Sequence, residues 1–254
     1  MKAHRILGID TSTKMLAVAL AEGEKVIWEQ NESEKFKHLE KIFILIGEGL
    51  RAARWTMDDI DVVACGLGPG SFIGLRVGLA AVKGLMLAGG KKVVGLSSLD
   101  IIAQNNQPET DGAVLVDAHR KKVYASFYAS RGGALQKKGA DVLLSYKQLM
   151  ARLKRMKGAT VLGGDALCAY GSDLAHDTSA KISFAPEERW YPRGAHIINC
   201  AHSAIQKKSF LSLRQLAPHY LRASGAEEVL KKGKRIKGKG KRKKINERMI
   251  YGTK

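Results

Sequence analysis

The sequence predicts a mixed α/β fold, on three observations. Short apolar segments at 5–9, 15–21 and 25–30 follow one another with only polar turns between them. A helical stripe of apolar residues comes next, over about 38–54. Strand-like and helix-like segments then alternate as far as residue 105. The order βββαβαβα is that of helices covering one sheet.

Each element has a local reason. Asp10-Thr11-Ser12-Thr13 is rich in side chains that bond nearby backbone, which suits the first turn. In the helix, Leu39, Ile42, Phe43, Ile46, Leu50 and Ala53 fall at helical spacing. Residues 42–46 (IFILI) are apolar without a break and go fully round the helix. One face can pack on its own sheet; the other needs a neighbouring helix or another chain, and both readings stay open. Residues 61–66 read as a buried strand, Leu67-Gly68-Pro69-Gly70-Ser71 as a tight loop and about 72–89 as a helix. Gly74, Gly78, Ala81 and Gly84 give that helix a small-residue edge suited to close approach of another backbone. A strand at 92–96 and a helix near 99–105 complete the unit.

A second unit follows Asn105-Asn106-Gln107-Pro108, read as a hinge. Strands are predicted at 113–117 and 123–129, flanking the basic turn His119-Arg120-Lys121-Lys122, and again at 140–144 and 159–163. Ser145-x-x-Gln148 has capping-box spacing and starts a helix. Another helix is expected over 193–207, with Ile197, Ile198, Ala201 and Ile205 on one side.

Composition narrows the class. The chain has 254 residues, of which 45% are hydrophobic, enough for a sizeable core. Cys65, Cys168 and Cys200 are far apart, which suits a reducing, cytoplasmic setting rather than a disulfide framework. The longest apolar helix, 75–88, is interrupted by Arg76 and Lys83, so no membrane span is expected. Net charge is +19. Residues 231–244 hold ten of the basic residues and no acid, including Lys231, Lys232, Lys234, Arg235, Lys241, Arg242, Lys243 and Lys244. Such a block is either a ligand for polyanions or a solvated tail, and is expected to be disordered alone.

Chemistry is sparse. No two of the seven histidines are three to five residues apart, so helical metal pairs are missing, and there is no GxSxG. The loop at 66–74 is neither a P-loop nor GxGxxG, yet it runs from strand to helix N-terminus with Ser71 able to cap. Gly70 and Ser71 thus mark a weak anion site or simply a sharp turn. Asp10, Thr11 and Ser12 suit a metal-bound phosphate or an ordinary polar turn.

Five blocks then carry a resemblance: ILGIDTS, GPGSFIGLRVGLAAVKGL, VVGLSSLD, DAHRKKVY and PHYLRASGAEE, in that order over about residues 5–228. Together they resemble the TsaB (YeaZ) family. The resemblance implies an actin-like ATPase (ribonuclease H-like) α/β fold of two lobes with the second reduced. The first lobe would be 1–105, also packed by the helix at 193–207. The second lobe and returning helix would be 106–225, and the basic tail 226–254. It implies a cytoplasmic, non-catalytic scaffold for a TsaD-type subunit in threonylcarbamoyl transfer to the adenosine beside the tRNA anticodon. ATP and a metal would sit on partner subunits, the chain itself holding none. A TsaE-type ATPase, a second copy of the chain and tRNA would be the other partners, tRNA partly through the tail. Laid over TsaD-type relatives, Ser98 and Ile102 stand where a metal-binding histidine pair would be, so no catalytic residue is assigned. The expected partner interface is built from the first two helices: Leu39, Ile42, Phe43, Ile46, Leu50, Gly74, Val77, Gly78 and Ala81, with Ile44 and Leu45 in the surplus apolar face. Ile73 departs from the family's usual Thr. A small kinase or ATPase resting on Asp10 and the Gly-rich loop, with Leu162-Gly163-Gly164-Asp165 as the candidate second phosphate loop, is the alternative; a metal-dependent peptidase and a nucleic-acid-binding module are more distant ones.

Overall fold

β1 (Arg5–Asp10) runs through the middle of the first sheet because both of its faces are apolar. The structure is a computed structural model, and it describes residues 3–33, 38–106, 109–178 and 181–221, without the side chains of 38 and 39. The polar turn after Asp10 returns the chain antiparallel as β2 (Met15–Glu22), with Ile9 opposite Val18, and β2 pairs in turn with β3 (Lys25–Ser33). β4 (Val62–Gly66) and β5 (Lys92–Leu96) add in parallel on the other side, giving the order β3-β2-β1-β4-β5. Their helical crossovers are what parallel neighbours require.

Alternation splits this sheet into two differently sized faces. Leu7, Ile9, Leu16, Val18, Leu20, Val63 and Cys65 face α1 (His38–Ala53) and α2 (Phe72–Gly89). Ala17, Ala19, Ala21 and Ala64 line the opposite face, where small side chains let α6 (Gly194–Gln206) lie close. Gly8 belongs to this face: a Cβ there would come within 2.9 Å of the Ile197 side chain.

Ile42, Leu45 and Ile46 of α1 are 0%, 2% and 4% exposed and belong to the first core. Each contributes about 1.5–3 kcal/mol by burial. The expectation that Ile42 and Ile46 meet a partner is therefore corrected, and so is that for Leu45: the protein's own sheet covers them. Leu50 is half-buried against the same core. The side chain of Leu39 lies outside the described residues.

α3 (Ser98–Ala103) lies between the two sheets. Ile101 joins the core beneath α6, while Leu99 and Ile102 pack with Val114, Val116 and Tyr128 of the second sheet. That sheet has the order β11-β10-β6-β7-β8, from β6 (Asp111–Asp117), β7 (Lys122–Arg131), β8 (Ala134–Lys137), β10 (Thr160–Gly163) and β11 (Ile182–Phe184), and β9 (Val142–Ser145) pairs with β7. α4 (Tyr146–Leu153) and α5 (Ala166–Asp177) cover its outer face. The Ser145–Gln148 capping box forms as the sequence predicts. β8, α5 and β11 are additions to the predicted elements. β8 and β11 have only four and three residues, and α5 opens at Asp165 without a side-chain cap bond. The hinge residues Gln107 and Pro108 lie outside the described residues. α2 has the length and apolar composition of a membrane span, but here it is a crossover helix between β4 and β5, with Leu75, Leu79 and Val82 buried.

Candidate functional site

The first candidate is the corner where β1 ends and α2 begins. Asp10 is fully buried, and its Oδ1 accepts from the Ser12 amide at 2.8 Å and the Ser12 hydroxyl at 2.6 Å. Oδ2 accepts from the Ser98 hydroxyl at 2.7 Å. Ser98 Oγ in turn accepts from the Gly68 amide at 3.1 Å, tying α3 to the glycine loop. Ser71 caps α2 by accepting from the Gly74 amide at 3.2 Å, and its own amide donates to the Ser12 carbonyl at 2.6 Å. The Thr11 hydroxyl donates to the Gly74 carbonyl at 2.7 Å.

This geometry explains the glycines. A Cβ on Gly66 would overlap the Asp10 carboxylate, on Gly70 the Ser12 carbonyl, on Gly74 the Thr11 carbonyl and on Gly78 the Thr11 hydroxyl. The small-residue edge thus receives the first turn of the protein itself. Gly74, Gly78 and Ala81 are buried, which corrects their assignment to a partner interface. Of the residues expected to form a weak anion site, Gly70 is half-buried and Ser71 exposed at the start of α2, while Asp10, Thr11 and Ser12 are taken up by the fold. These three are at most 1% exposed and are bonded to one another or to α2 and α3, as in a polar turn. Ile102, at the second position of the histidine pair implied by the resemblance, is 1% exposed within the core. Among the described residues no three His, Cys, Asp or Glu side chains are grouped to hold a metal ion.

The second candidate is the outward face of α1 and α2, which pack side by side. Phe43 and Ile44 are 54% and 55% exposed on α1; Ile73 and Leu87 are 66% and 73% exposed on α2. Half-buried Val77 and exposed Ala80 and Gly84 complete a row at 73, 77, 80, 84 and 87, the 3–4 spacing of one helix face. Of the predicted interface residues, Phe43 and Ile44 face outward, while Leu50 and Val77 are half-buried. Ile73, Ala80 and Leu87 are exposed on the same face and carry no signal in the sequence beyond their 3–4 spacing.

The third candidate is polar. Asp165 Oδ1 accepts from the Asp117 amide at 2.9 Å. Burial pushes the Asp165 carboxyl up to about 6; the Asp117 amide bond opposes this and the Asp117 charge adds to it. Lys14 lies 4.6 Å from the centre of the Tyr191 ring, and its bond to that phenol holds the ammonium above the usual lysine range. Burial pushes the Tyr191 phenol up to about 12. In a cleft of about 380 Å³, Lys137 reaches Asp141 at 2.7 Å and Asp100 at 2.8 Å, and Ser97 donates to Asp141 at 2.7 Å. This network joins β8 to the start of α3. The predicted tail residues Lys231, Lys232, Lys234, Arg235, Lys241, Arg242, Lys243 and Lys244 lie outside the described residues.

Comparison with known proteins gives one consistent family. The model of the family described as "TsaD: tRNA N6-adenosine threonylcarbamoyltransferase" matches residues 31–251. The chain is 30% identical over 212 residues to the "tRNA threonylcarbamoyladenosine biosynthesis protein TsaB" of Buchnera aphidicola subsp. Schizaphis graminum, covering 82% of this chain and 97% of that one. It is 25% identical over 230 residues to the protein of the same name from Escherichia coli, covering 89% and 98%. Among solved structures, YeaZ from Pseudomonas aeruginosa superposes with a TM-score of 0.72 at 22% identity, covering 86% of this chain and all of that one. The two-sheet architecture is therefore that of YeaZ.

Proposed function

The chain belongs to the TsaB (YeaZ) family, and on that footing we propose that it serves tRNA threonylcarbamoyladenosine biosynthesis as a non-catalytic docking subunit for a TsaD-type transferase. The observation that carries the reading is the apolar row of Ile73, Val77, Ala80 and Leu87 on α2 beside Phe43 and Ile44 on α1. Large contiguous apolar surface flanked by charge marks a protein-binding face, and Glu40, Glu48, Arg51 and Arg76 stand exposed around this one. Small residues at Ala80 and Gly84 leave room for a helix of the partner to approach. The buried Asp10 corner supports a scaffold over a catalyst, since its polar groups hold the fold together. ATP and metal chemistry belong, in this reading, to the TsaD-type and TsaE-type partners, and the setting is the cytoplasm.

Replacing Ile73 and Leu87 with Lys tests the docking face. The double variant is expected to lose co-purification with the TsaD-type subunit while its thermal midpoint stays within about 2 °C of wild type. Retained co-purification by the folded variant rejects the interface. A second copy of the chain would compete for the same face, so the variant should also be monomeric at concentrations where any homodimer forms. For the basic tail at 231–244 the proposed role is sequence-independent affinity for tRNA. Truncation after Glu228 should flatten the salt dependence of tRNA binding, and an unchanged slope counts against it.

A small metabolite kinase is the second reading, favoured by the pairing of Asp165 with the Asp117 turn in the second sheet. Calorimetric titration with ATP and magnesium separates the two readings. Tight binding and turnover without any partner favour the kinase.

A further inference from the structure

Between Asp141 and Asp165 the sequence contains no acidic residue, but it contains Lys147, Arg152, Lys154, Arg155 and Lys157. The structure puts all five on the surface, along α4 and the turn that follows it. At 100° per residue, Lys147, Arg152, Lys154 and Arg155 spread over the outward half of the helix, while Leu149, Met150 and Leu153 fill the inward half and are buried. Lys181, just before β11, extends the ridge: its amine lies 3.5 Å from the Lys157 carbonyl, and its own carbonyl accepts from the Thr160 amide. None of the six cations forms an ion pair among the described residues. The guanidinium of Arg152 stands 4.3 Å from the centre of the Phe127 ring, which fixes its plane without neutralising it. Asp173 and Asp177 of α5 border the ridge, both near the Tyr146 phenol at the start of α4. Bonds from His176 and Tyr146, with Lys154 nearby, hold the Asp177 carboxyl below the usual carboxylate range.

The five cations of the acid-free stretch, with Lys181 beside them, repel one another, and an isolated helix would gain from Glu at some of these positions. A polyanion relieves that repulsion. We propose that this ridge on the outer face of the second sheet is a docking surface for the phosphate backbone of tRNA, a second contact independent of the C-terminal tail. The proposal rests on the tRNA-modification reading above, which supplies the polyanion. An anionic membrane fits less well, because the bulky apolar residues of α4 all point into the core and Ala151 and Gly158 are what remains outside. Arg152 and Arg155 offer planar donor pairs suited to phosphate oxygens, and Lys147, Lys154, Lys157 and Lys181 supply point charges.

The test uses the full chain, with its tail, and one purified tRNA. Arg152→Gln, Lys154→Gln, Arg155→Gln and Lys157→Gln are combined, since Gln keeps helix propensity. Binding is measured from 50 to 200 mM salt. Removing up to four phosphate contacts should weaken binding about 10- to 100-fold at low salt and flatten the slope of log K against log salt by about 3. Affinity and slope equal to wild type overturn the proposal. So does loss of binding to phosphatidylserine vesicles with tRNA binding unchanged. Should the quadruple variant unfold, the pairs Arg152→Gln with Arg155→Gln and Lys157→Gln with Lys181→Gln must each flatten the slope by about 1–2, and no change in either also overturns it. Co-purification with the TsaD-type subunit should be unaffected by all of these changes. A negative result therefore leaves the docking role standing, and a failed docking role is read from Ile73 and Leu87 instead.

Discussion

Gly74 and Gly84 lie on one helix, ten residues apart, under opposite constraints. A Cβ at Gly74 would overlap the Thr11 carbonyl, whereas at Gly84 nothing lies within 4 Å. Gly74→Ala should therefore cost about 1–3 kcal/mol through overpacking, and Gly84→Ala should add about 0.5–1 kcal/mol by stiffening an exposed helix. Thermal midpoints of the two variants check both signs. Asp165 gives a pH-dependent prediction. Its carboxyl titrates near 3.8 when unperturbed and near 6 in the fold, so between those values the folded state holds the extra proton. Stability then falls as pH rises through this window, by at most about 3 kcal/mol at pH 7. Asp165→Asn keeps an acceptor for the Asp117 amide and should raise the midpoint at pH 7, with the advantage vanishing below about pH 4. At this scale the sequence is legible where a residue acts through its immediate neighbours, as Ser71 and Ser145 do in capping α2 and α4. It is silent on Ser98, which meets Asp10 across 88 positions of chain. Asp165 and Asp117 are likewise joined only by the topology of β10 and β6.

Helix α1 shows what periodicity can and cannot decide. The unbroken IFILI run correctly signals two apolar sides, but it does not say which side the sheet takes. The sheet takes Ile42, Leu45 and Ile46, which share one buried cluster with Val18, Leu20 and Val63. Phe43 and Ile44 are left outside. Ile46→Asp should therefore unfold or severely destabilise the protein, at a cost of several kcal/mol for an unpaired buried charge. Phe43→Asp should change stability by less than about 1 kcal/mol and act on partner binding alone. Chemical denaturation of both variants distinguishes a core position from a docking position. In α2 the glycine pattern was visible, yet its use was inverted: the close approach it permits is to the Thr11 turn. The short strands β8 and β11 leave almost no pattern to detect, and α5 lacks the side-chain cap that marks α4. α2 and β5, by contrast, have the bounds that their apolar runs predict.

For the whole molecule, the Asp10 corner ties β1, α2 and α3 together. The surface carries an apolar face on α1 and α2, and a cationic ridge on α4. Family membership rests on 30% identity over 212 residues to a TsaB protein, and the fold is that of a solved YeaZ. The accessory role rests on the apolar face. Reconstitution with threonylcarbamoyl-adenylate, tRNA and a TsaD-type subunit measures that role most directly, with modified adenosine as the readout. Modification should require the wild-type chain and fall to the level of the chain-free reaction with the Ile73→Lys, Leu87→Lys variant. Equal modification with wild type, with that variant and with no added chain would contradict the account.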